Sequence, residues 1–162
     1  AALKLRALGF AVAGWSRTAK QVEGARSFAG DSDLDLFLAQ ADILVCLLPL
    51  TPATRGILNR RTLAALPKGA YLVNAARGEH LVEEDLLEAI ERGHLSGACL
   101  DVFRKEPLPE THPFWGHPRV TVTPHVASLT YPKAVAPQIV ENYRRVRAGR
   151  PPLHAVDIRR GY

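Results

Sequence analysis

The chain has 162 residues, 47% of them hydrophobic and 23% charged, and carries a formal net charge of +5. That composition suits one globular domain with a real core, and no apolar run approaches the roughly 20 residues that a bilayer-spanning helix needs. Arg and Lys are scattered apart from Arg144-Arg145-Val146-Arg147 and Arg159-Arg160, and no basic stripe with interleaved aromatics marks a nucleic-acid surface.

Residues 3–8 read as the end of a helix, with Gly9 suited to its stop. No N-cap precedes Ala1-Ala2-Leu3-Lys4-Leu5 and no Met occurs anywhere, so the chain reads as a fragment whose start lies mid-helix. Residues 10–15 form a short apolar run, expected as a buried strand. Asp31 or Ser32 can cap a helix running through Leu34, Phe37 and Leu38. Residues 42–48 predict a second strand of the continuous apolar type found in parallel sheets, ended by Pro49. A short helix follows over residues 59–66 and stops at Pro67. Residues 70–75 predict a third strand. Residues 83–92 predict an amphipathic helix with acids in its first turn and Gly93 after its last. Residues 97–103 and 119–123 predict the fourth and fifth strands, and residues 131–148 a long helix that Pro137 can kink. Strands and helices alternating at this spacing predict an α/β fold with a doubly wound parallel sheet. Cys46 and Cys99 fall inside apolar runs and read as reduced, buried thiols of a cytoplasmic protein, not as metal ligands or a disulfide. No signal peptide or lipidation motif is apparent.

In such sheets ligands bind beyond the carboxyl ends of the strands, so the residues just after each apolar run are the informative ones. After the first run come Ser16, Arg17 and Lys20. An acid there would accept from the ribose 2′-hydroxyl of NAD, whereas a hydroxyl with Arg and Lys suits the 2′-phosphate of NADP. The competing reading is a polar loop that happens to be basic. After the second run, Leu48, Pro49 and Thr54 of Thr51-Pro52-Ala53-Thr54 can line the adenine or pyrophosphate side of a dinucleotide, or form a Pro-stiffened turn. After the third run stands Asn74-Ala75-Ala76-Arg77-Gly78, in which Arg77 can fork onto a carboxylate and polarise a carbonyl, or make a surface salt bridge. Asp101 ends the fourth run, Glu106 follows it, and His125 follows the fifth between Pro124 and small apolar residues. A His that exchanges protons works best beside a carboxylate, and Glu106 is the candidate partner. His80, His94, His112, His117 and His154 read as structural residues of loops and turns.

Asn74-Ala75-Ala76-Arg77-Gly78, Leu100-Asp101-Val102-Phe103 with Glu106-Pro107, and Thr123-Pro124-His125-Val126-Ala127 together resemble the signature blocks of the D-2-hydroxyacid dehydrogenases. Trp15-Ser16-Arg17, Leu47-Leu48-Pro49, Glu106-Pro107-Leu108-Pro109 and the closing Arg160-Gly161-Tyr162 resemble that family's glyoxylate/hydroxypyruvate reductase A branch. The resemblance covers nearly the whole chain and is weakest over residues 18–41. It implies a Rossmann-like fold, with residues 1–127 as a partial NAD(P)-binding domain and residues 128–162 as a C-terminal helix and tail returning to the substrate domain. It implies that Arg77 holds the 2-oxoacid carboxylate, that His125 gives a proton to the carbonyl oxygen, and that Glu106 keeps the imidazole protonated. It further implies that Ser16, Arg17 and Lys20 grip a 2′-phosphate, that Leu48, Pro49, Thr54, Ala75 and Ala76 border the cofactor, and that Asp101 contacts the nicotinamide carboxamide. The implied cofactor is NADP, with NAD possible; the implied substrates are small 2-oxoacids or 2-hydroxyacids, and the implied assembly is a homodimer.

The family's Gly-x-Gly-x-x-Gly turn and the strand before it are absent from the chain. That strand would lie between the first two strands read above, so their edges are expected to be unpaired, and the 162 residues alone are expected to be inactive and poorly soluble. Two other readings stand beside the reductase: an NADH-linked D-2-hydroxyacid or phosphoglycerate dehydrogenase, and a non-catalytic dinucleotide-sensing binding module.

Overall fold

The computed structural model describes residues 1–128 and 130–157. The matched tail Arg160-Gly161-Tyr162 lies outside the described residues. The elements in chain order are α1 (Ala2–Ala7), β1 (Ala13–Ser16), β2 (Arg26–Ala29), α2 (Gly30–Leu38), β3 (Ile43–Cys46), α3 (Arg60–Ala64), β4 (Ala70–Asn74), α4 (Glu83–Glu91), β5 (Leu95–Leu100), β6 (Val120–Val122) and α5 (Pro132–Arg147). Short 3₁₀ turns occupy Gly78–His80 and Pro113–Gly116. Strands β3, β4, β5 and β6 pair in that order as a four-stranded parallel sheet, while β1 and β2 form a separate parallel pair. The expected α/β parallel architecture is therefore present. Among the described residues no strand bridges β1 and β3.

Local sequence explains the elements that cover the sheet. Asn59 caps α3 with a capping box, its side chain accepting from the Arg61 and Thr62 amides while the Thr62 hydroxyl accepts from the Asn59 amide. Glu83, Glu84 and Asp85 sit in the first turn of α4, where the helix dipole favours acids, and Leu86 and Ile90 point one face into the core. One continuous core joins Leu34 and Leu38 of α2, Leu44 and Cys46 of β3, Leu72 of β4, Leu86 and Ile90 of α4, and Ala98 and Leu100 of β5.

Several expectations are corrected. β2 was not anticipated; Arg26-Ser27-Phe28-Ala29 has one buried side chain, Phe28, and so carries little strand pattern. β1 starts at Ala13, not at residue 10, and is only partly covered; among the described residues it pairs with β2 alone, and Phe10 before it is exposed. β3 alternates instead of being buried on both faces: Leu44 and Cys46 enter the core, but Ile43 and Val45 are 51% and 42% exposed. α2 begins at Gly30 and uses neither Asp31 nor Ser32 as its cap; the Asp33 carboxylate instead accepts from the Ala29 amide. α5 runs unbroken through Pro137 and has no buried residue. His80 is fully buried, unlike an ordinary turn histidine. No helix among the described residues is long and apolar enough to cross a membrane.

Candidate active site

The parallel pairing of β3 through β6 brings their carboxyl ends to one edge, and the loops leaving that edge carry the candidate residues. Arg77 leaves β4, Asp101 and Glu106 leave β5, and His125 leaves β6.

The β4 loop turns on Asn74, a fully buried side chain. Its Oδ1 accepts from the Ala76 amide at 3.2 Å and its Nδ2 donates to the Arg77 carbonyl at 3.1 Å. A buried amide that satisfies both halves within one loop fixes that loop's shape. The Arg77 side chain is exposed, with Nη1 donating to the Ala76 carbonyl at 2.6 Å. The next residue must be glycine. A Cβ on Gly78 would lie 1.9 Å from the carbonyl carbon of Phe103 and 2.3 Å from the Arg104 amide nitrogen, so the Arg77 loop lies directly against the loop that carries Glu106.

His125 has φ +54, in the left-handed region that non-glycine residues seldom enter. Asp101 holds it there. The Asp101 carbonyl accepts from the His125 amide at 2.9 Å. The Asp101 carboxylate accepts from the Thr123 hydroxyl and, at 2.9 Å each, from the Val126 and Ala127 amides. His125 Nδ1 then donates to Glu106 Oε2 at 2.8 Å, while Glu106 Oε1 accepts from the Phe103 amide at 2.9 Å. With Nδ1 engaged, Nε2 is the ring nitrogen left to meet a substrate. The His125 and Glu106 side chains remain 47% and 37% exposed, so the pair is reachable from solvent.

The charges of the two carboxyls follow from these contacts. The hydrogen bond from His125 holds the Glu106 carboxyl below its ordinary value; burial opposes this, and the Phe103 amide and the charges of His125 and Arg77 reinforce it. For Asp101, burial pushes the carboxyl up but is outweighed by the Thr123 hydroxyl, the Ala127 and Val126 amides and the His125 charge, which together hold it low. Carboxyls depressed in the folded state contribute stability above their ordinary range of about 4, and that contribution is lost as pH falls through their lower folded values. The melting temperature is therefore expected to hold steady from pH 7 to about 5 and to fall below about 4. Asp101→Asn should flatten the acid slope, and an unchanged slope in that variant would contradict the role given to Asp101.

The cofactor-side residues fall where the strand ends put them. Ser16 ends β1, and its hydroxyl donates to the Thr18 carbonyl at 2.8 Å. Ser16, Lys20 and Ser27 help line a surface cavity of about 190 Å³ with no acidic residue in its wall, and Arg17 lies exposed next to Ser16. Thr54 closes its own loop, its hydroxyl donating to the Pro49 carbonyl at 2.7 Å, while Leu48 packs partly buried on the core. The Ala75 amide donates to the Cys46 carbonyl at 3.3 Å, tying the end of β4 to β3, and Ala76 is buried. Sequence reasoning assigned no role to Asn74, Gly78 or Thr123. The usable signal was a polar residue closing an apolar strand and a glycine directly behind an arginine.

A family model described as "D-isomer specific 2-hydroxyacid dehydrogenase, NAD binding domain" matches residues 1–127. The chain belongs to this dehydrogenase family. The dehydrogenase chain is 53% identical over 161 residues to a glyoxylate/hydroxypyruvate reductase A of Serratia proteamaculans, covering 99% of the chain and 51% of that protein. It is 50% identical to the protein of the same name from Yersinia enterocolitica, covering 98% and 51%. Among solved structures it is similar to a D-isomer specific 2-hydroxyacid dehydrogenase of Xanthobacter autotrophicus in complex with NADPH and MES, with a TM-score of 0.96, 52% identity, and 99% and 66% of the two chains covered. It is also similar to an NADPH-dependent glyoxylate/hydroxypyruvate reductase of Sinorhizobium meliloti in complex with NADP and sulfate, with a TM-score of 0.94, 43% identity, and 99% and 52% covered. The dehydrogenase chain thus spans about half the length of the relatives named as reductase A.

Proposed function

We propose that this chain supplies most of the dinucleotide-binding half of an enzyme that reduces a small 2-oxoacid with NADPH, glyoxylate to glycolate and hydroxypyruvate to D-glycerate. The observation that carries the reading is the 2.8 Å bond between His125 and Glu106, with the Arg77 loop packed against the loop that carries Glu106. In this reading residues 1–127 belong to the NAD(P)-binding domain and residues 128–162 return to the substrate domain. A cytoplasmic homodimer fits the family resemblance.

The donor set fits a dinucleotide carrying a 2′-phosphate: two hydroxyls and Lys20 line a cavity without an acid, and Arg17 adjoins it. Ser16, Arg17 and Lys20 would hold that phosphate, Leu48, Pro49, Thr54, Ala75 and Ala76 would border the cofactor, and Asp101 would stand at its nicotinamide end. The dinucleotide, when bound, supplies a hydride to the carbonyl carbon of the 2-oxoacid. Arg77 takes the substrate carboxylate in its guanidinium fork and draws electron density toward the carbonyl oxygen. His125 releases the proton on Nε2 to that oxygen, and Glu106 faces Nδ1 and stabilises positive charge on the ring before the transfer.

The decisive assay is reduction of glyoxylate and hydroxypyruvate by the intact protein with NADPH and with NADH. NADPH-dependent turnover of either acid is expected, and no turnover with either cofactor would refute the reading. Arg17→Ala combined with Lys20→Ala should raise KM for NADPH about 10²–10⁴-fold, since hydrogen bonds to charged groups are each worth about 1.5–3 kcal/mol. KM for NADH should hardly move. An equal rise for both cofactors would show that the basic pair does not read the 2′-phosphate.

A further inference from the structure

We propose that His80 is a positioning residue that couples the Arg77 loop to the Pro49 loop, so that the grip on the substrate carboxylate depends on the cofactor side of the site. The inference rests on the reading of Arg77 as the carboxylate-binding residue. His80 closes the 3₁₀ turn Gly78–His80 and is fully buried. Its two ring nitrogens face backbone carbonyls on different loops. Nδ1 lies 3.1 Å from the Arg77 carbonyl and Nε2 lies 3.3 Å from the Pro49 carbonyl.

Both carbonyls already belong to the site's framework. The Arg77 carbonyl also accepts from the Asn74 side-chain amide at 3.1 Å and from the His80 backbone amide at 3.2 Å. The Pro49 carbonyl also accepts from the Thr54 hydroxyl at 2.7 Å. The imidazole therefore stands between the node that shapes the Arg77 turn and the node that shapes the loop after β3. Its own backbone is clamped as well: the His80 carbonyl accepts from the Leu58 amide at 2.9 Å and the neighbouring Glu79 carbonyl from the Gly56 amide at 2.8 Å. A ring fixed at its base and wedged between two loops transmits a displacement of one to the other, because a packed interior does not absorb shifts by free space.

Two conservative variants separate the links. The side-chain amide nitrogen of Asn falls near the position of Nδ1, and that of Gln near the position of Nε2. His80→Asn thus keeps the contact with the Arg77 carbonyl and loses that with the Pro49 carbonyl; His80→Gln does the reverse. In the intact protein, the factor by which bound NADP tightens binding of the non-reducible 2-oxoacid mimic oxamate should fall about 3–10-fold in His80→Gln, the worth of one hydrogen bond. His80→Asn should lower the same factor, because loss of either contact ends the coupling. The proposal is overturned if both variants keep the parental factor, or if either variant fails to fold, which would make the ring a structural plug. Arg77→Met, measured alongside, distinguishes the two levels. If Arg77→Met leaves KM for the 2-oxoacid unchanged, the underlying role of Arg77 fails and the coupling with it. If Arg77→Met raises that KM while the His80 variants behave like the parent, only the coupling fails.

Discussion

His125→Asn is expected to lower kcat for 2-oxoacid reduction by about 10²–10⁴-fold in the intact protein, the range usual for losing a positioned proton donor. Asn is the appropriate replacement because His125 sits at φ +54, and asparagine enters the left-handed region more readily than other residues with a Cβ. The Asp101 contacts to the neighbouring Val126 and Ala127 amides do not involve the imidazole and should survive, so the loop keeps its course. KM for the 2-oxoacid should change by only a fewfold, since in the proposed reading Arg77 still receives the carboxylate. Single-turnover measurement of hydride transfer tests this directly. A variant that retains more than a tenth of the parental rate would show that the proton comes from another group.

Gly78→Ala carries the second large effect, and it is an effect on structure first. The added methyl would sit 1.9 Å from the Phe103 carbonyl carbon, and backbone atoms cannot swing aside as a flexible side chain can. The Arg77 loop and the Glu106 loop would have to part. Overpacking of this kind usually costs about 1–3 kcal/mol, and a clash with main chain on both sides belongs at the upper end. Urea denaturation should show a loss of about 3 kcal/mol. KM for the 2-oxoacid should rise as well, because parting the loops moves Arg77 away from the Glu106–His125 pair. Parental stability with an unchanged KM would mean that the two loops are not in close contact.

The candidate trio of Arg77, Glu106 and His125 was legible in the sequence because each member follows an apolar run, and strand ends in a parallel sheet face one edge. Arg77, Glu106 and His125 could be placed from that rule and from the spacing of three motifs. The residues that hold them were not legible. Asn74 and His80 look like ordinary polar residues of a turn until the fold buries them, and Thr123 matters only because Asp101 arrives beside it from another strand. Gly78 could be seen as a turn residue but not as the contact point of two loops. The sheet was read correctly in type, and its errors have a common origin. β1 and β3 were expected to be buried on the strength of their apolar runs. Burial depends on what covers a face, and the described residues leave Ile43 and Val45 uncovered. β2 escaped notice because a four-residue strand with one inward side chain has almost no periodicity to detect.

Two loops of the site are pinned at their roots by polar side chains, the Arg77 loop by Asn74 at the end of its own strand and the His125 loop by Asp101 at the end of the neighbouring strand. Beyond these pins, Lys105 and Ser128 face solvent. Substitutions at such exposed positions usually change stability by no more than about 0.5 kcal/mol. Natural variation can therefore work on the tips almost freely while the roots stay put. A lineage built on this scaffold can vary the surface of these loops by small steps, with no need to solve the folding problem again at each one.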